Sequence, residues 1–137
     1  MYANPRQAAS AYRGLELETS VSQADPHALI CMLFDGVIGA VARARAALRV
    51  GETAARGEAT TRALRLLDEG LKASLDPRGG ELSANLEALY EYMSHRLLSA
   101  NSSGDDARYA EVAAMLEQLR DAWRRIAPGA RSARQAA

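Results

Sequence analysis

The run DPHALICMLFDGVIGAVARARAALRVG, residues 25–51, decides the fold. Leu29, Leu33, Val37, Val41 and Leu48 recur at helical intervals, and Ile30, Phe34 and Ile38 widen the apolar stripe. Asp25 before Pro26 reads as a helix start. The carboxylate can accept from orphan amides, and proline is preset for the first helical position. Gly51 reads as the stop, where the chain turns left-handed. The spacing therefore predicts one long amphipathic helix with a wide buried face.

The same periodicity continues downstream. Residues 53–75 read as a second helix, with Leu64, Leu67, Leu71 and Leu75 on its stripe and Ala63 and Leu66 alongside. Asp76-Pro77-Arg78-Gly79-Gly80 is a breaker. Residues 81–100 read as a third helix carrying Leu82, Leu86, Leu89, Tyr90, Met93, Leu97 and Leu98, and residues 101–105 as a turn. A fourth helix carries Tyr109, Val112, Leu116, Leu119, Trp123 and Ile126 and ends before Pro128-Gly129. Short links make neighbours antiparallel, so the expected fold is all-α, an antiparallel bundle of four main helices. Residues 25–127 form the bundle in this reading. Residues 1–24 are expected to be a flexible or partly helical leader, and residues 128–137 a flexible basic tail.

Composition agrees. Among 137 residues, 48% are hydrophobic and only 5% aromatic, which favours helix over sheet. Lys plus Arg equals Asp plus Glu at 17 each, so the basic excess of a nucleic-acid binder is missing. Cys31 is the one cysteine, which fits a reducing compartment. No signal peptide is read at the start, and no stretch is read as approaching the roughly 20 apolar residues of a membrane span. The expected location is cytoplasmic.

Chemistry finds little support. His27, Cys31 and Asp35 lie at i, i+4 and i+8, yet three turns of one helix supply no oxyanion site. A buried cysteine commonly packs as a small hydrophobe. Glu91 and His95 do not make the Glu-x-x-His pairs of a di-iron bundle, and a lone cysteine builds no zinc site. Gly79-Gly80 lacks the lysine and hydroxyl of a phosphate loop. His95 on a four-helix bundle raises a histidine phosphotransfer module as an alternative. Its neighbour Arg96 points about 100° away on a helix, and Leu98 and Ser99 stand where that family has lysine and glycine. The reading is a non-enzyme with no metal and no cofactor.

The run Pro26-His27-Ala28-Leu29-Ile30-Cys31-Met32-Leu33-Phe34-Asp35-Gly36 resembles the signature of the flagellar secretion chaperones, the FliS family. Leu75-Asp76 with Gly79-Gly80-Glu81, then Asn85-Leu86 with Leu89-Tyr90 and Tyr92-Met93, resemble its later blocks. So do Leu97-Leu98 with Ala100-Asn101, Glu111-Val112, and Ala122-Trp123 with Ile126. Ala11-Tyr12 matches an upstream pair. The resemblance covers nearly the whole chain, in order.

It implies a chaperone that binds the disordered C-terminal segment of flagellin, prevents premature polymerisation and delivers it to the type III export gate. No membrane insertion is expected, and the expected state is a monomer or weak dimer. A regulatory bundle binding another flagellar protein stays open. The candidate cargo contacts are Tyr12, Leu29, Met32, Leu33, Gly36, Asn85, Tyr92 and Asn101. Tyr12, Leu15 and Leu17 are expected either to shield an apolar groove or to belong to a frayed terminus. Gly36 and Gly39 with Ala40 and Ala44 read as close helix packing before a cargo strip. Met32, Met93 and Met115 read as core filler, Trp123 as core with its indole N–H at the edge, and Arg124, Arg125, Arg131 and Arg134 as a solvated basic end.

Overall fold

The computed structural model describes residues 25–126. Those residues form α1 (Pro26–Val50), α2 (Thr53–Arg65), a π-helical continuation (Leu66–Lys72), a 3-10 turn (Pro77–Gly79), α3 (Gly80–Ser103) and α4 (Asp106–Arg125). α1 packs on α2 and α4, and α3 packs on α4 and on the α2 continuation, so the four helices close a ring. The starts of α1 and α3 and the ends of α2 and α4 share one end of the bundle. The expected leader and tail, with Tyr12, Leu15, Leu17, Arg131 and Arg134, lie outside the described residues.

The local signals act as sequence chemistry requires. The Asp25 carboxylate accepts from the Ala28 amide at 2.7 Å, and Asp105 does the same for Ala107 at 3.0 Å. Gly51 and Gly104 end α1 and α3 at φ 76° and 62°, a conformation costly for residues with a Cβ.

Two boundaries differ from expectation. α3 continues through residues 101–103 to Ser103, because the left-handed stop is Gly104 and not Asn101. The second helix widens into π geometry from Leu66, with the Ala73 amide reaching the Asp68 carbonyl five residues back. That widening turns Leu66, Leu67, Gly70 and Leu71 inward together.

The core is one cluster. α1 contributes Leu29, Ile30, Leu33, Phe34, Val37 and Val41, and α3 contributes Leu86, Tyr90, Met93 and Leu97. Each buried Leu or Phe contributes roughly 1.5–3 kcal/mol. The alanines of α1, Ala40 and Ala44, are fully buried and let its neighbours approach closely. α1 is long and apolar enough to cross a membrane by length and composition, contrary to the sequence expectation, but its apolar stripe lies in this core. One buried polar pair bridges α2 and α4. Thr60 donates to the Arg56 carbonyl at 2.8 Å, so the Tyr109 hydroxyl must donate to Thr60 at 2.7 Å.

Candidate functional site

An apolar groove opens at the end of the bundle where α3 begins and α4 finishes. Its volume is about 160 Å³, and Phe34, Leu82, Leu86, Leu119, Trp123 and Ile126 form most of its wall. Leu82 is the exposed lip: it sits at the edge of the α3 stripe and remains 55% exposed. Apolar surface left open on a small bundle marks a place for another apolar group.

The groove wall is held by a clasp between α1 and α4. The His27 and Trp123 rings stack with centroids 4.9 Å apart and planes 17° from parallel. The indole Nε1–H donates to the His27 carbonyl at 2.9 Å, and His27 Nε2 meets the Trp123 carbonyl at 2.9 Å. A carbonyl only accepts, so the proton sits on Nε2. Trp123 is core with its N–H satisfied at the edge, as its place on the stripe suggests.

His27, Cys31 and Asp35 do not work together. His27 belongs to the clasp, and Asp35 accepts from Arg120 at 2.9 Å and from Arg124 at 3.3 Å. Cys31 is half-buried, and burial pushes its thiol up, the opposite of what a nucleophilic thiolate needs. Arg124, expected to be solvated, stays half-exposed but pairs with Asp35. His95 is exposed on α3, and the neighbouring Arg96 is engaged by Glu111 at 2.7 Å. Among the described residues, no group of three or more His, Cys, Asp or Glu side chains gathers as a metal site.

The expected contact residues scatter. Leu29 and Leu33 are 4% and 0% exposed and sit in the core, because they lie at the centre of the α1 stripe. Met32 and Gly36 are half-buried beside them. Asn85 is exposed near the start of α3. Tyr92 is 43% exposed, and its hydroxyl donates to Glu111 at 2.5 Å. The Tyr92 hydroxyl, then Arg96, holds the Glu111 carboxyl below its ordinary range, while the same carboxylate raises Tyr92.

Asn101 lies at the opposite end from the groove. Its carboxamide oxygen accepts from Arg56 Nε at 3.0 Å, and its carbonyl accepts from Arg56 Nη2 at 3.0 Å. That arrangement ties α2 to the end of α3. Spacing alone places Leu82, Leu119 and Ile126 on their helix stripes and gives none of them a site role. Periodicity could have flagged Leu82 only as a residue on the edge of its stripe.

Over residues 8–130 the chain matches the protein family described as "Flagellar protein FliS". The chain belongs to the FliS family. This FliS-family chain is 46% identical over 121 residues to the flagellar secretion chaperone FliS of Salmonella typhimurium, covering 88% of this chain and 90% of that protein. It is 39% identical over 124 residues to FliSB of Pseudomonas aeruginosa, covering 90% and 96%. With FliS of Bacillus subtilis it shares 34% over 107 residues, covering 78% and 79%. The matched range spans the ordered blocks from Pro26 to Ile126 that carry the resemblance.

Proposed function

We propose that this chain is a cytoplasmic flagellar export chaperone, not an enzyme, that holds the disordered C-terminal segment of flagellin. It prevents premature polymerisation and passes the cargo to the type III export gate. The observation that carries the reading is the apolar groove between the start of α3 and the end of α4, in a chain of the FliS family. An unfolded segment with an amphipathic helix can lay its apolar face there, folding as it binds. The relatives' names as flagellar secretion chaperones point the same way.

In this reading Leu82, Leu119, Trp123 and Ile126 meet the cargo directly. Asn85 and Tyr92 extend the contact along the outside of α3, and Met32 and Gly36 offer it on α1. Leu29 and Leu33 support the site from the core. The leader enters α1 at Asp25, one turn before the Phe34-bearing stripe and beside the His27–Trp123 clasp. Tyr12, Leu15 and Leu17 shield the groove until cargo displaces them.

Co-purification with cognate flagellin, its C-terminal segment intact or deleted, tests the main reading. A stoichiometric complex that depends on that segment is expected. A complex that survives its deletion refutes it. For the leader, removing residues 1–18 should change flagellin affinity while leaving bundle stability nearly unchanged; an unchanged affinity removes the shielding role.

A further inference from the structure

α3 begins without a cap. Gly79 stands at its N-cap position and has no side chain to accept from the first-turn amides, which most helices satisfy with Ser, Thr, Asp or Asn. One turn in, Ser83 is only 6% exposed, and its hydroxyl is buried with no hydrogen-bond partner. Native structures seldom leave a buried hydroxyl in that state. Ser83 faces a notch of about 240 Å³ between Lys72, Leu75 and Pro77 on one side and Gly80 and Glu87 on the other. The space beside Gly80 is open, with nothing within 4 Å of where a Cβ would stand. These are two independent sets of unused donors on one opening.

The charges around the notch choose the ligand. Lys72 is paired with Glu91 at 3.5 Å and Asp76 with Arg78 at 3.2 Å, which leaves the Glu87 carboxylate lining the opening without a cation partner among the described residues. With both cations committed, the remaining carboxylate repels a free anion such as phosphate. A neutral carbonyl needs only donors, and a basic side chain next to it in the same peptide would meet Glu87. Leu75 and Pro77 add an apolar wall. We infer that this notch is a second cargo subsite, which holds a main-chain carbonyl of an extended peptide, flanked by a basic residue, on the Ser83 hydroxyl and the first amides of α3. The inference rests on the reading of the chain as a holder of a disordered segment. It adds a polar anchor on the far side of α3's first turn from the apolar groove.

The test titrates the C-terminal segment of cognate flagellin into full-length wild type, Ser83→Ala and Gly79→Asp by calorimetry, alongside thermal melts. Ser83→Ala removes an unpaired hydroxyl and should melt above wild type, and Gly79→Asp sets a carboxylate beside the first amides of α3, where a peptide carbonyl would sit. Both should bind the segment about two- to tenfold more weakly. Greater stability with weaker binding in Ser83→Ala is a pair of changes that a merely structural role does not produce. Wild-type affinity in both variants overturns the subsite and leaves the chaperone reading standing. A Ser83→Ala protein that melts below wild type assigns the hydroxyl to the fold and also overturns it. Absence of binding by wild type overturns the chaperone reading, and the subsite falls with it.

Discussion

Replacing Trp123 with phenylalanine probes the clasp that holds the groove wall. The change deletes the indole N–H that donates to the His27 carbonyl at 2.9 Å and keeps an aromatic ring facing His27. The lost hydrogen bond accounts for about 0.5–1.5 kcal/mol. The His27 carbonyl stands in the first turn of α1, where the helix ladder also uses it, so the cost of an orphaned acceptor stays small. A smaller ring weakens the stack by roughly 0.5 kcal/mol. Because Trp123 borders an open groove, little closed cavity is left behind. The sum is about 1–2 kcal/mol. With a urea slope of roughly 1–3 kcal/mol per molar, the midpoint should fall by about 0.3–2 M. Helical circular dichroism through a urea titration reads this without needing the tryptophan. Combining Trp123→Phe with His27→Ala completes a double-mutant cycle; His27→Ala keeps the main-chain carbonyl, so the two changes couple only through the ring stack, by roughly 0.5 kcal/mol. A midpoint within about 0.2 M of wild type, with additive single effects, would falsify the clasp.

Three further outcomes follow from the same geometry. Leu82→Asp places a charge on the exposed lip of the groove. It should leave stability within about 0.5 kcal/mol yet weaken flagellin-segment binding about tenfold or more, and equal binding in a calorimetric titration would move the site elsewhere. The Arg45 guanidinium donates to Asp106 at 2.8 and 3.0 Å and holds its carboxyl below the usual carboxylate range. A depressed folded value means the contribution is present above the unfolded pKa near 4 and is lost as pH falls through the folded value. Both groups are partly exposed, so it amounts to at most about 1 kcal/mol, and the acid limb of a stability-versus-pH curve should flatten in Arg45→Met. Because burial raises the Cys31 thiol, its alkylation by iodoacetamide at neutral pH should be slower in the folded protein than in urea; equal rates would place the thiol at the surface.

Much of the fold is legible in residue order. Asp25 announces a helix start that the structure caps with the same carboxylate, and Gly51 announces the stop, whereas Gly104 and Asp105, read only as part of a turn, are the stop of α3 and the cap of α4. The α1 stripe of Leu29, Leu33, Val37 and Val41 is buried as its spacing requires. The π turn at Leu66 was not legible, because two adjacent leucines on one stripe read equally well as an α-helix with a wide face. The site was less legible still. Leu29 and Leu33 looked like cargo contacts within the family's opening block, and their central place on the stripe puts them in the core.

Helical period and cap chemistry, which act within a few residues, settled by themselves that this chain is an all-α bundle of four main helices. The ordered motif blocks, a separate signal, carried the resemblance to its family. Only the tertiary structure decided that Leu82 faces solvent while Leu86 does not, that Arg56 claims Asn101, and that Ser83 is buried without a partner. Periodicity sets the direction in which each side chain leaves its helix. The distance and angle between neighbouring helices then decide whether that direction ends in the core, in another side chain or in an open groove.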